Sequence, residues 1–141
     1  MEESFVMIKP DGFEKNVFKA VMERFLEEDL SIANINITKL DEELVNEHYS
    51  HLLERDFYPH LKEFMLSGPV VTMTVFGLDA VRKVRDIIGA TNPTKADRGT
   101  IRFMYGDKVD TTRNVIHASD SVENAQIELE RFDNYQKRLV K

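Results

Sequence analysis

Apolar and polar positions along the chain keep two different rhythms, and the switches between them mark the elements. Ser4 to Lys9 is an apolar run stopped by Pro10-Asp11-Gly12, which predicts a strand closed by a turn. From Asn16 to about Asp29, Phe18, Val21, Met22 and Phe25 recur at helical spacing and predict an amphipathic helix. Ser31 to Leu40 alternates, with Ala33, Ile35 and Ile37 on one side and Asn34, Asn36 and Thr38 on the other. That pattern is a half-exposed strand suited to a sheet edge. Asp41 can cap a helix carrying Leu44, Val45, His48 and Leu52. Gly68-Pro69 introduces a strong strand, Val70 to Phe76. Gly77 to Ile88 reads as a helix with Ala80, Val81, Val84 and Ile88 inward, stopped at Gly89. Asn92 to Arg113 has little periodicity, and an irregular segment of that length is often functional. Val115 to Ala118 is a last short strand. Asp120 or Ser121 caps a final helix striped by Val122, Ala125, Leu129 and Phe132, with Glu123 placed as in a capping box. The order β-α-β-(α)-β-α-β-α contains two βαβ-like halves. It predicts an α+β protein of the ferredoxin-like class, a four-stranded antiparallel sheet with surrounding helices.

Composition narrows the class. A chain of 141 residues, without repeats or a linker-like stretch, is expected to be one domain spanning residues 1–141. Its net charge of −6 argues against a broad nucleic-acid-binding surface. It has no cysteine, which excludes disulfides, thiol catalysis and cysteine-ligated zinc. No apolar run approaches the ~20 residues a membrane span needs. The first residues, Met1-Glu2-Glu3, are acidic where a signal peptide is basic, so a soluble cytoplasmic protein is expected.

Candidate chemistry centres on Asn114-Val115-Ile116-His117-Ala118-Ser119-Asp120-Ser121. This sequence puts His117 between a short strand and a capped helix start, where N–H groups and the dipole favour anions. Glu128 lies at the border of the following helix's apolar stripe. A carboxylate there can take one imidazole nitrogen as a partner and leave the other free as a nucleophile. It can equally be a solvated helix residue, and spacing leaves both readings open. Arg82, Lys83, Arg85, Lys95, Arg98, Arg102, Lys108 and Arg113 lie in or beside the irregular segment, interleaved with Thr91, Asn92, Thr100 and three glycines. Such a mixture suits polyphosphate recognition, and it equally suits a solvated loop. Neither GxxxxGK[ST] nor GxGxxG is present. Lys9 ends the first strand and matters if the sheet brings it beside His117. His48 and His51, at i and i+3, with His60 beyond, lack the carboxylates that would complete a metal site. Phe57 and Tyr58 fall in a loop before Pro59, and loop aromatics can stack on a base or merely pack.

Taken together, the motifs resemble one family. Asn114-x-x-His117-Ala118-Ser119-Asp120-Ser121 is similar to the active-site pattern of nucleoside diphosphate kinases. Ile8-Lys9-Pro10-Asp11-Gly12, Glu47-His48-Tyr49, Phe64-Met65-x-Ser67-Gly68-Pro69-Val70, Gly89-x-Thr91-Asn92-Pro93 and Gly99-Thr100-Ile101-Arg102 follow in the family's order. The resemblance implies a ping-pong enzyme. His117, through Nδ1, takes the γ-phosphate of a nucleoside triphosphate and hands it to a nucleoside diphosphate. It also implies roles for other residues. Lys9 contacts the ribose 3′-hydroxyl and the phosphates, and Asn114 the ribose. Arg85, Thr91 and Arg102 bind phosphates, Phe57 stacks on the base with Leu61 nearby, and Tyr49, Ser119 and Glu128 support His117. Mg2+ bridges the nucleotide's phosphates with few or no protein ligands. The implied partners are ATP, GTP, ADP, GDP and related nucleotides, with no stable nucleic-acid complex and no membrane. A homo-oligomer is implied too, a hexamer or a tetramer built from dimers. Aromatic contact reads no base edge, which predicts broad base tolerance.

Three departures bear on specificity. Phe103-Met104 stand after Arg102 where the family has Gly-Asp. The stretch from Arg102 to Asn114 is about two residues longer than the common pattern, and should lie near the base. Asp56 replaces a usual proline before Phe57. Asp133 to Lys141 matches nothing strongly. A nucleotide-binding module without turnover would be expected to lack His117, Lys9, Arg102 or Asn114, and all are present. A protein-histidine phosphotransfer role would need a partner surface.

Overall fold

The computed structural model describes residues 1–140. Its sheet has four strands, β1 (Glu2–Ile8), β2 (Ser31–Thr38), β3 (Val70–Gly77) and β4 (Ile116–Ala118), in the order β2-β3-β1-β4. Every pairing is antiparallel, so the ferredoxin-like expectation holds. Seven helices surround it: α1 (Pro10–Glu14), α2 (Phe18–Glu27), α3 (Glu42–His48), α4 (Tyr58–Met65), α5 (Ala80–Ile88), α6 (Ile101–Tyr105) and α7 (Val122–Leu139). Among the described residues no helix is long and apolar enough to cross a membrane.

β1 explains its own apolar run. Val6 and Ile8 face a core with Val21, Phe25, Val84 and Ile88 from α2 and α5. Phe5 and Met7 face a second core with Leu44, Phe64 and Phe132 from α3, α4 and α7. A strand covered on both faces reads as continuous rather than alternating. β1 lies between β3 and β4, and its C-terminal end leads directly into Lys9.

Local rules account for most boundaries. The Asp41 carboxylate accepts from Leu44 N at 2.8 Å and caps α3. Of the two candidates for the cap of α7, Ser121 accepts from Asn124 N at 3.0 Å. Several expectations need correcting. Pro10-Asp11-Gly12 begins a helical turn, because proline's fixed φ suits a first helical position. Tyr58 starts α4 and is buried, rather than lying in a loop. The segment from Asn92 to Arg113 contains a 3-10 turn at Pro93–Lys95 and α6, capped by Thr100. Helix α5 starts at Ala80, not Gly77. α7 runs on through Asp133 to Leu139, with Tyr135 donating to Lys39 O at 2.7 Å. Val122 is exposed and drops out of its stripe.

β2 is indeed an edge strand, but its predicted inner face is wrong. The register breaks between Ala33 and Asn36, and Asn34 sits at φ 55°. A bulge reverses the side-chain phase. Ile32 packs against the core while Ile35 and Ile37 are exposed.

Candidate active site

The carboxyl end of β1 meets the amino end of β4 in a corner built under constraint. Val115 has φ 65°, uncommon for a β-branched residue. Three contacts impose it. Ile116 N donates to Asn114 O at 2.8 Å, Lys9 N donates to Val115 O at 2.8 Å, and Val115 N donates to Asp11 Oδ2 at 3.1 Å. A Cβ on Gly12 would lie 2.5 Å from Val115 O, so only glycine admits this approach. After the corner, Ile116 and Ala118 turn into the core beside β1. His117, between them, turns the other way, opposite Met7 and toward Phe5 and Phe132.

His117 is held by one ring nitrogen. Its Nε2 lies 3.1 and 3.2 Å from the two Glu128 oxygens. Ser119 Oγ donates to Glu128 Oε1 at 2.7 Å and accepts from Phe5 N at 3.1 Å. Burial works against the Glu128 charge. The His117 hydrogen bond and charge, the Ser119 hydroxyl and Arg131 outweigh it and keep the carboxyl below its ordinary pKa. An ionised Glu128 accepts the hydrogen bond of Nε2–H and leaves Nδ1 as the basic atom. The helical reading of Glu128 as a half-buried partner is the one realised.

The cations beside it are equally fixed. Lys9 is 6% exposed, and its Nζ donates to Asn114 Oδ1 at 2.8 Å. Asn114 Nδ2 in turn donates to Thr91 O at 2.9 Å. Burial, with the Arg102 charge adding to it and Asp11 opposing, brings the Lys9 ammonium down to about 7. Arg102 donates to Gly89 O at 3.0 Å and Ile116 O at 2.7 Å. Its pKa falls to about 10 through burial and the Arg85 charge. Gly89, at φ 89°, ends α5, and a Cβ there would meet Thr100 Oγ1 at 2.5 Å. Thus α5, α6 and β4 lock together through backbone carbonyls and one guanidinium. Burial of the Tyr49 phenol raises its pKa, and its oxygen has no partner.

These side chains line a single cleft of about 910 Å³. Lys9, Tyr49, Phe57, Leu61, Arg85, Thr91, Arg102, Asn114, His117 and Glu128 all contribute to its wall. Ser119 stands behind it, fully buried. Arg82, Lys83, Lys95, Arg98, Lys108 and Arg113 are not on the wall. Phe57 is 40% exposed at the open end. Thr111 and Thr112, from the segment between Arg102 and Asn114, line the cleft as well. That segment is tied to α4 by His60 Nε2 and Asp110 Oδ2, 2.8 Å apart.

Two further residues line the cleft: His48, read from the sequence only as a metal candidate and part of a motif, and Arg131, which the sequence reading missed. His48 ends α3 and is buried, while His51 lies in the 3-10 turn that follows and is exposed. The group with metal-ligand spacing among the described residues is instead His48, His117 and Glu128. The Arg131 guanidinium at 2.9 Å from His48 Nδ1 is unfavourable for a cation there. Arg131 follows Glu128 by three positions on α7, a same-face spacing that could have drawn attention to it.

The geometry has counterparts in known proteins. A family model described as nucleoside diphosphate kinase matches residues 2–137. A nucleoside diphosphate kinase of Campylobacter jejuni is 43% identical over 132 residues, 94% of this chain and 95% of that protein. One from Methanobrevibacter smithii is 39% identical over 134 residues, 95% and 88% of the two chains. The crystal structure of the Encephalitozoon cuniculi enzyme superposes with a TM-score of 0.88 at 41% identity, covering 93% of this chain and 88% of that one. A halophilic one from Halobacterium salinarum, in complex with CDP, gives 0.87 at 37% identity, covering 93% and 86%. The chain belongs to the nucleoside diphosphate kinase family and is a phosphotransferase that moves the γ-phosphate between nucleotides through a phosphohistidine.

Proposed function

We propose that His117 is the phosphoryl carrier and Nδ1 its attacking atom. The observation that carries this reading is the Glu128 carboxylate at Nε2, backed by Ser119. The Nδ1 lone pair attacks the γ-phosphorus in line. The bond from phosphorus to the β,γ-bridging oxygen breaks, and the diphosphate leaves with those electrons. The proton stays on Nε2, shared with Glu128. In the second half-reaction an oxygen of the incoming diphosphate's terminal phosphate attacks the same phosphorus, and the bond to Nδ1 breaks.

Little covalent help is needed beyond placement and charge neutralisation. Lys9, Arg85, Thr91 and Arg102 meet the phosphates, and Asn114 meets the ribose together with Lys9. Tyr49 offers its unpaired hydroxyl at the reacting centre. An incoming polyphosphate restores the full charge of Lys9, so binding near neutral pH takes up a proton. Phe57 and Leu61 form the base site. An aromatic face without a donor or acceptor supports broad acceptance of bases.

Family members generally use Mg2+. The phosphate end of this cleft is cationic, Glu128 is engaged by His117 and Ser119, and Asp120 is hydrogen-bonded by Asn124. That donor set fits an ion carried in by the nucleotide's own oxygens. Bound there, Mg2+ neutralises phosphate charge and polarises the phosphoryl oxygens. The exposed Ile35 and Ile37 on edge strand β2 support a dimer formed across that edge, the unit of a hexamer or tetramer. A cysteine-free chain suits the cytoplasm.

The test is chemical. Protein incubated with γ-labelled ATP and Mg2+ should carry acid-labile, alkali-stable phosphate on His117, released by GDP as GTP. Protein that stays unlabelled sinks the reading. Label that no diphosphate removes would point to protein-histidine phosphotransfer instead.

A further inference from the structure

The reaction as described gives no task to two half-hidden groups in the cleft, His48 and Arg131. His48 is 5% exposed. Its ring meets His117 edge-on, with centroids 4.8 Å apart and planes at 79°. Phe5, Tyr49 and Phe132 pack around it. Arg131 reaches the same ring from α7, with NH1 2.9 Å from His48 Nδ1.

A guanidinium can only donate, so Nδ1 of His48 is the acceptor and its proton sits on Nε2. The ring is therefore neutral and its tautomer fixed. Burial, then the His117 and Arg131 charges, hold His48 well below its ordinary pKa, in agreement with the geometry. Arg131 also helps keep Glu128 ionised. One guanidinium thus acts on the ring that His117 packs against and on the carboxylate that His117 donates to.

A purely structural arginine would pair well with a carboxylate. Arg131 does not. Glu47 Oε2 is 3.9 Å from Nε, beyond hydrogen-bond reach, and Nε is buried without a partner. An aliphatic side chain would fill this place without leaving a buried donor unpaired.

We propose that Arg131 is a positioning residue for the nucleophile, acting through His48 to hold the His117 ring with Nδ1 toward the cleft. The proposal rests on His117 being the phosphoryl carrier.

A double-mutant cycle on the full chain tests it, using Arg131→Leu, His48→Phe and the pair. The readouts are the single-turnover rate of His117 phosphorylation, nucleotide affinity, and imidazole 15N shifts by NMR. Arg131→Leu should slow phosphorylation by about 5- to 10-fold with affinity changed by less than about 2-fold. Its effect should shrink once His48 is phenylalanine. The His48 nitrogens should move from a pure Nε2–H tautomer toward a mixture. Arg131→Lys should recover part of the rate. Arg131→Gln, which keeps a donor without the charge, serves if leucine destabilises α7. An unchanged rate, additive effects of the two substitutions, or an unchanged His48 tautomer would each overturn the proposal. Wild-type protein that forms no phosphohistidine removes the reading of His117 itself. Normal labelling in both wild type and Arg131→Leu removes only the role of Arg131.

Discussion

The two ends of the cleft are built by opposite rules. Around His117 the charged and amide side chains are held by buried hydrogen bonds to backbone or to another site residue: Lys9 to Asn114, Asn114 to Thr91 O, Arg102 to Gly89 O and Ile116 O. At the Phe57 end an exposed aromatic ring sits under the Arg55 guanidinium, 5.2 Å from its centroid. The facing segment is tied down by partly exposed contacts, His60 with Asp110, the Arg113 guanidinium over the Phe64 ring and Lys15 on Tyr105 O. Phosphoryl transfer needs atoms fixed to fractions of an ångström before substrate arrives. Stacking needs only a flat surface, and a loose rim does not harm it. Rigidity is spent where bonds change.

The comparison can be broken most sharply at the nucleophile. His117→Gln should lower turnover by at least ~10³-fold and abolish acid-labile phosphate, while nucleotide affinity stays within a few-fold. A coupled assay and labelling check it.

Next comes Lys9→Met, which should lower kcat/KM by ~10²-fold and yet stabilise the unliganded protein. The folded pKa of Lys9 is near 7 against 10.5 for the free side chain. Below about 7 both states are protonated and the burial penalty is present in full. Between about 7 and 10.5 the unfolded chain holds more protons, so wild-type stability rises with pH through that window. The methionine variant's advantage in urea midpoint should therefore be largest near about pH 6 and fade toward about pH 10.

Glu128→Gln should slow phosphorylation by ~10-fold, since an amide can still accept from Nε2 but stabilises it less. An unchanged single-turnover rate would return Glu128 to an ordinary ion-pair partner of the helix.

The smallest effect belongs to the rim. His60→Ala frees Asp110 and should raise nucleotide KM by only ~2- to 3-fold, with kcat unaltered. Steady-state constants across ATP, GTP, CTP and their deoxy forms then sharpen the contrast. A parallel shift for all of them would mean that Phe103 to Arg113 holds the nucleotide without choosing it.

How much of this was legible depended on whether local chemistry decided the outcome. The unbroken apolar run of β1, the Asp41 and Ser121 caps and the stop at Gly89 follow from rules acting over a few residues. The pairing of His117 with Glu128 was readable as one of two options, because helical spacing placed the carboxylate near the strand end. The face of β2 was not readable, since a single left-handed residue, Asn34, reverses the alternation downstream. Arg131 was hidden because its meaning comes from His48, which lies 83 positions away along the chain. The anchoring of Arg102 on backbone carbonyls was hidden for the same reason, since carbonyl directions are not written in side-chain patterns.

β4 is three residues long and hydrogen-bonds to the sheet on one side only, through Val6, Met7 and Ile8 of β1. His117 therefore rides on the shortest ladder in the molecule. Short edge ladders open at lower free energy than the sheet they border. What so short a ladder lacks is supplied from outside the sheet, by Arg102 on Ile116 O and Asp11 on Val115 N, so loss of either cross-tie should lower the temperature at which turnover fails by more than it lowers the melting temperature.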